Sequence, residues 1–211
     1  MKTVIICGGT APSRKLIEDS LIDCNYFICA DSGANIAKEY DLYPNLIVGD
    51  MDSIRKDVLE YYSNKNVSID IYPVSKDATD SEIALNKAIE LGANEIIFLG
   101  CTGTRIDHLL GNLGLLKKCL GLGIHAILKD DNNTIFLINK NTILKNLIGT
   151  TFSLQSYGDV VQMLTIKGAK YELINYSLQL GDPRTISNQF NDTEVFISFD
   201  SGTLLISYST N

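Results

Sequence analysis

Tryptophan is absent from this chain of 211 residues, histidine occurs twice and proline four times. The five cysteines, Cys7, Cys24, Cys29, Cys101 and Cys119, make an odd set with no CxxC spacing. A zinc centre needs Cys and His ligands in close register, and no cysteine pair accompanies His108 or His125, which argues against one. Three of the cysteines lie inside apolar runs, so they read as buried free thiols in a reducing, cytoplasmic compartment. Long hydrophobic runs are missing too. Nothing approaches the roughly 20 apolar residues that span a bilayer, so no membrane partner is expected. The run Val4-Ile5-Ile6-Cys7 before Gly8-Gly9 suits a buried strand and is too short for a signal peptide. Basic residues are the minority, 18 against 25 acidic, for a net charge of −7. That balance argues against a nucleic-acid partner, whose phosphates call for a basic face. An acidic chain can still bind ATP where metal ions and a few cations offset the like charges.

What is there falls into two halves. The first, taken as residues 1–129, alternates short β-branched or aromatic runs with amphipathic segments, the signature of a parallel α/β sheet. Strands are expected at Val4–Cys7, Tyr26–Ala30, Leu46–Val48, Ser68–Tyr72, Glu95–Leu99 and His125–Leu128. Ile106, Leu109, Leu110, Leu113, Leu116 and Leu120 keep helical spacing along one face, and Leu85, Ala88, Ile89 and Leu91 suggest a second helix ended by Gly92. In residues 130–211 the helical period disappears. Thr151–Tyr157, Val160–Lys167, Tyr171–Leu178 and Glu194–Tyr208 are rich in Val, Ile, Thr, Tyr and Phe, with turn residues such as Gly158-Asp159 and Asp200-Ser201-Gly202 between or within them. These predict stacked hairpins in a small antiparallel β-sandwich, ending in the strand pair Val195–Phe199 and Thr203–Ser207.

The chemistry lies in the segments that come directly after the expected strands of the first half. Cys7-Gly8-Gly9-Thr10, Asp31-Ser32-Gly33-Ala34-Asn35, Gly49-Asp50-Met51-Asp52-Ser53, Ser75-Lys76-Asp77-Ala78-Thr79-Asp80 and Gly100-Cys101-Thr102-Gly103-Thr104-Arg105-Ile106-Asp107-His108 come in turn. In a parallel sheet these segments share the carboxyl edge, where α/β proteins place ligands. Taken singly, each has a plain structural reading: Thr79 with Glu82 forms a capping box, Thr104 with Asp107 approximates one, and Ser53 would cap a helix beginning at Ile54. Caps need one oxygen per helix, however, and close carboxylates raise one another's pKa unless a cation neutralises them. An oxygen-only set suits Mg²⁺ shared with substrate phosphates. Gly100 to Arg105 adds a phosphate cradle: glycines let backbone N–H groups approach, a helix N-terminus comes next, and Arg105 offers a fork. The loop is not a Walker A sequence, and no GxGxxG occurs. His108 reads equally as a phosphate contact or as a helix-turn histidine bonding a local carbonyl.

Asp31-Ser32-Gly33-Ala34-Asn35, Gly49-Asp50-Met51-Asp52-Ser53, Lys76-Asp77-Ala78-Thr79-Asp80-Ser81-Glu82 and Gly103-Thr104-Arg105-Ile106-Asp107-His108, in this order and spacing, strongly resemble thiamin pyrophosphokinases. Ser187-Asn188 extends the likeness into the second half. The resemblance implies a Rossmann-like α/β ATP-binding catalytic domain at residues 1–129 and a β-sandwich at 130–211 for thiamin binding and dimerisation, acting as a homodimer with thiamin held where subunits meet. It implies pyrophosphoryl transfer from ATP to the hydroxyethyl group of thiamin, giving thiamin diphosphate and AMP. By the same resemblance, Asp50, Asp52 and Asp80 hold Mg²⁺ and the ATP phosphates, with Asp77 nearby. Arg105 and Asp107 contact the nucleotide or reacting phosphates, with Asp77 or Asp107 taking the hydroxyl proton. Asp31, Ser32, Asn35, Thr102, Gly103, Thr104 and His108 shape the nucleotide site, and Ser187 and Asn188 contact thiamin. Some relatives place a tryptophan against the vitamin, and this chain has none. Two rivals stay open: transfer to another small alcohol such as a pterin, and a non-catalytic thiamin or nucleotide sensor.

Overall fold

The computed structural model of the chain describes residues 1–73, 77–103 and 105–210. It divides into two compact units, Met1–Asp131 and Asn132–Asn211. This division falls two residues beyond the 129/130 boundary drawn from the sequence. Among the described residues no helix is long and apolar enough to cross a membrane.

In the first unit strands and helices alternate: β1 Lys2–Ile6, α1 Arg14–Leu21, β2 Tyr26–Ala30, α2 Gly33–Glu39, β3 Leu46–Gly49, α3 Lys56–Asn64, β4 Ser68–Ile71, α4 Asp80–Glu90, β5 Glu95–Leu99, α5 Ile106–Gly121 and β6 His125–Lys129. All the strands pair parallel, in the order β6-β5-β1-β2-β3-β4. The central strands are apolar at successive positions because helices cover both faces. Val4 and Ile6 join Ile17, Ala34, Ala37, Val58 and Tyr62 in one core cluster, while Ile5, between them on β1, is fully buried on the opposite face. β4 forms one margin of this parallel set, and its residues are correspondingly more exposed. Side-chain caps begin α1 and α4: Ser13 Oγ accepts from the Leu16 N–H at 3.2 Å, and Thr79 Oγ1 from the Glu82 N–H at 3.2 Å.

The strand order reverses at β1. The chain runs outward through β2, β3 and β4, then returns to lay β5 on the other side of β1. Such a switch point opens a crevice at the carboxyl ends of the two strands, and ligands bind there in open α/β sheets.

The second unit holds β7 Asn133–Ile138, β8 Thr142–Lys145, β9 Thr151–Ser156, β10 Val161–Lys167, β11 Leu173–Leu178, β12 Asn188–Gln189, β13 Glu194–Ser198 and β14 Leu204–Ser209. Two antiparallel sets form, β12-β9-β14-β7 and β11-β10-β13-β8. Phe152, Leu154, Leu204 and Ile206 from the first share one buried cluster with Leu144, Leu164, Ile166, Val195 and Ile197 from the second.

Four expectations change. The segments at Val195–Phe199 and Thr203–Ser207 form no hairpin: β13 pairs with β8 and β10, and β14 with β7 and β9. The Asp200–Gly202 turn moves the chain from one sheet to the other. β7 and β8, unmarked in the sequence, are strands. α3 starts at Lys56 after Arg55 with no side-chain cap, and Ser53 Oγ donates instead to Asp52 Oδ1 at 2.7 Å. On α5 the buried face is Asn112, Leu115, Leu116 and Cys119, leaving Ile106 and Leu110 exposed.

Candidate active site

At the carboxyl edge of the parallel sheet the connections after β2 and β3 are short, so their side chains stay close to the strand ends. A cleft of about 700 Å³ opens there, lined by residues just after β1, β2, β3 and β5 and by the start of α4. That size falls within the usual range for small-ligand sites. Of the residues singled out from sequence, Asp31, Ser32, Asp50, Asp52, Asp80, Thr102, Gly103, Arg105 and His108 line it. Thr104 and Lys76 lie outside the described residues. Asp77, Asp107 and Asn35 do not line the cleft.

The loops after β1 and β5 are zipped together by their backbones. The Gly9 N–H donates to the Gly100 carbonyl at 2.8 Å, and Thr10 N–H to the Thr102 carbonyl at 2.7 Å. A Cβ on Gly9 would sit 2.2 Å from the Thr102 oxygen, so only glycine permits this approach. Asn112, buried on α5, supports the far side by donating Nδ2 to the Cys101 carbonyl at 2.9 Å. Sequence reasoning did not name Asn112. Its signal was a lone amide on the buried face of an otherwise apolar helix.

The carboxylates gather opposite. Asp31, Asp50 and Asp52 each offer an oxygen within 4.8 Å of the others. Asp80, in the first turn of α4, stands close by. A Cβ on Gly49, whose φ is +150°, would meet Asp31 Cβ at 3.0 Å and Asp80 Oδ1 at 3.2 Å. Glycine here therefore leaves room for two carboxylates. Asp31 is buried, and its Oδ1 has no hydrogen-bond partner in the structure. Burial pushes its pKa above the ordinary carboxylate range. The Ser32 backbone N–H pulls the other way, and the charges of Asp80, Asp50 and Asp52 add to the rise. The residue also sits at φ 45°, a left-handed conformation that needs support from its surroundings. An orphaned oxygen among carboxylates that repel one another fits a hard divalent cation, which takes oxygen ligands alone. The tight trio includes Asp31 where the resemblance had implied Asp80.

The turn after β3 is shaped to present its acids. Met51 adopts φ 65°, and Asp50 Oδ1 accepts from the Asp52 N–H at 3.2 Å. Asn35 lies behind this turn, its side chain bonded to the Ser53 carbonyl and the Arg55 N–H, as a brace rather than a lining residue.

Arg105 and Asp107 form a two-pronged pair, Nη2 to Oδ2 at 2.6 Å and Nε to Oδ1 at 3.2 Å, with both side chains about two-thirds exposed. The hydrogen bonds raise the pKa of Arg105 and hold the Asp107 carboxyl below its ordinary range. In the second unit Ser187 takes φ 56°, and its N–H donates to Ser153 Oγ at 3.0 Å. Asn188 is buried, and its amide bonds both backbone groups of Tyr171 and the Gln189 N–H. In this structure Asn188 ties β12 to the connection between β10 and β11.

What the parallel sheet and the acid-rich cleft at its switch point define is an α/β ligand-binding protein, with a second, all-β unit after it. Residues 17–128 match the family described as "Thiamin pyrophosphokinase, catalytic domain", and residues 140–204 match "Thiamin pyrophosphokinase, vitamin B1 binding domain". The thiamine pyrophosphokinase of Bacillus subtilis (strain 168) is 31% identical over the whole of both chains. A crystal structure of thiamine pyrophosphokinase from Bacillus subtilis superposes with a TM-score of 0.90 at 28% identity, covering 100% of each chain. That of thiamin pyrophosphokinase from Geobacillus thermodenitrificans gives 0.87 at 28% identity, covering 100% of this chain and 98% of the other. The chain belongs to the thiamin pyrophosphokinase family.

Proposed function

We propose that this chain transfers the pyrophosphoryl group of ATP to thiamin, giving thiamin diphosphate and AMP. Membership of the family supports the activity. The observation that links it to this cleft is the gathering of Asp31, Asp50, Asp52 and Asp80 across from the glycine loops at the switch point. The first unit is read as a Rossmann-like ATP domain. The second is read as a β-sandwich that binds thiamin, with Ser187 and Asn188 in the segment assigned to the vitamin.

In this reading the thiamin hydroxyl oxygen attacks the β-phosphorus of ATP, and AMP leaves in line. Backbone N–H groups of the glycine loops and the Arg105 guanidinium meet phosphate oxygens, whose charge is already arranged for when the reaction begins. Asp50, Asp52 and Asp80, with Asp31 beside them, would hold Mg²⁺, which supplies neutralisation of phosphate charge when bound. Asp107, its carboxyl held acidic by Arg105, is a poor base. A loose phosphoryl-transfer transition state asks little of one, so positioning does most of the work.

A homodimer is proposed as well. Leu147, Ile148, Ile174 and Leu180 of the second unit are exposed apolar side chains of the kind a twin would cover. Light scattering at twice the 23.2 kDa chain mass is the expected result, and an active monomer would contradict it. The activity itself is tested by measuring nucleotide products with and without thiamin. AMP should form only when thiamin is present. AMP formed with a pterin alcohol but not with thiamin would transfer the proposal to the rival acceptor.

A further inference from the structure

The seam between the loops after β1 and β5 contains a feature that nucleotide binding does not use. Cys7 and Cys101 are both buried under the cleft and both line it. The Cys101 thiol donates to Cys7 Sγ at 2.9 Å, and Ser81 Oγ donates to the same sulfur at 3.2 Å. The other three cysteines, Cys24, Cys29 and Cys119, make no such contact with a second thiol among the described residues. A disulfide bond requires the sulfurs to close to about 2.05 Å, a short step from here.

We propose that Cys7 and Cys101 form a reversible dithiol site in the wall of the cleft, oxidised to a disulfide by peroxides and reopened by thiols. The Cys101 hydrogen bond, the largest influence, and then the Ser81 bond hold the Cys7 thiol below its ordinary pKa although burial and the charge of Asp80 push it up, whereas burial keeps Cys101 protonated. Roles follow from that asymmetry. The Cys7 thiolate attacks one peroxide oxygen and breaks the O–O bond. The leaving oxygen takes a proton and departs as water, and Cys7 becomes a sulfenic acid. Cys101 sulfur then attacks the Cys7 sulfur, its thiol proton leaving with the sulfenic hydroxyl as a second water. Two electrons pass from the thiols to hydrogen peroxide, giving one disulfide and two waters. Reduction by a dithiol reverses the bond and oxidises the reductant.

Closure bears on the cleft because the loops have no slack. Gly9 and Thr10 are already bonded to Gly100 and Thr102, and Gly9 is in contact too tight for a Cβ. Any backbone shift that closure brings falls on the segment that faces the ligand, and closure removes the thiol that Ser81 bonds, next to Asp80. This last link rests on the polyphosphate reading of the cleft.

The test uses the full chain, reduced and freed of reductant, then treated with hydrogen peroxide. Non-reducing peptide mapping should show Cys7 linked to Cys101, and denatured protein should lose two of its five titratable thiols. Turnover of ATP with thiamin should be mostly lost and then restored by dithiothreitol. Cys101→Ser should accumulate a sulfenic acid at Cys7, trapped by a 1,3-dione, with no disulfide. Thiols that stay reduced, or that pair elsewhere, overturn the site. A disulfide that forms while turnover persists overturns its effect on the cleft. Should even the reduced chain fail to phosphorylate thiamin, the functional reading fails, while the mapping still decides the redox site.

Discussion

Asn35 Nδ2 donates to the Ser53 carbonyl at 3.1 Å, tying the first turns of α2 to the loop after β3. Its Oδ1 accepts from the Arg55 N–H at 3.0 Å, so one amide fixes the segment that leaves the Asp50–Asp52 turn. Asn35 is thus a positioning residue. Asn35→Ala should cost about 1 kcal/mol of stability for the lost hydrogen bonds. It should also raise the Mg²⁺ concentration needed for half-maximal turnover. Titrating Mg²⁺ against activity checks this, and an unchanged requirement would reduce Asn35 to a structural tie.

The raised pKa of Asp31 makes a prediction about pH. The folded state holds this proton more tightly than the unfolded state does, so this group lowers apo stability as pH rises from about 4, the unfolded value, through the folded one. Above that window the loss is complete and flat. Asp31→Asn removes the titration, and asparagine tolerates the left-handed backbone here. Melted with a chelator present, the variant should exceed the wild type at pH 7 and match it below about pH 4. An equal Tm at both pH values would contradict the burial argument. Asp50→Asn and Asp52→Asn should likewise keep apo stability while turnover falls by at least about a hundredfold, the scale of losing a transition-state charge contact.

Arg105 and Asp107 are coupled by their paired hydrogen bonds. Arg105→Ala should lower kcat/KM for ATP strongly, and Arg105→Lys should recover only part, since an ammonium lacks the planar fork. Asp107→Asn should cost less, because that residue acts by holding Arg105. The double variant Arg105→Ala with Asp107→Asn should be no worse than Arg105→Ala alone. Additive losses would mean that Asp107 meets the substrate directly.

Much of this was legible in the chain. Buried parallel strands advertise themselves as continuous apolar runs, and β2 and β5 begin and end where composition placed them. The acids were visible because they come after those strands in order. Long-range pairing was not. The turn at Asp200–Gly202 looks like any hairpin turn, and only the shared core of two sheets decides that β13 and β14 part there. The stripe on α5 misled because leucines occur on several faces, and burial selected the one bearing Asn112. Asp31 passed as a site-shaping residue because nothing local shows that its oxygen would be buried without a partner. Asn35 and Asp107 sit inside the right motifs, yet their side chains bond neighbours rather than line the cleft.

The central claim is that the β-phosphorus is attacked and both terminal phosphates travel together. ATP labelled at the β position in one reaction and at the γ position in another should each deliver label to thiamin, with AMP formed in equal amount to the phosphorylated vitamin. ADP with thiamin monophosphate, labelled from the γ position alone, would contradict the account.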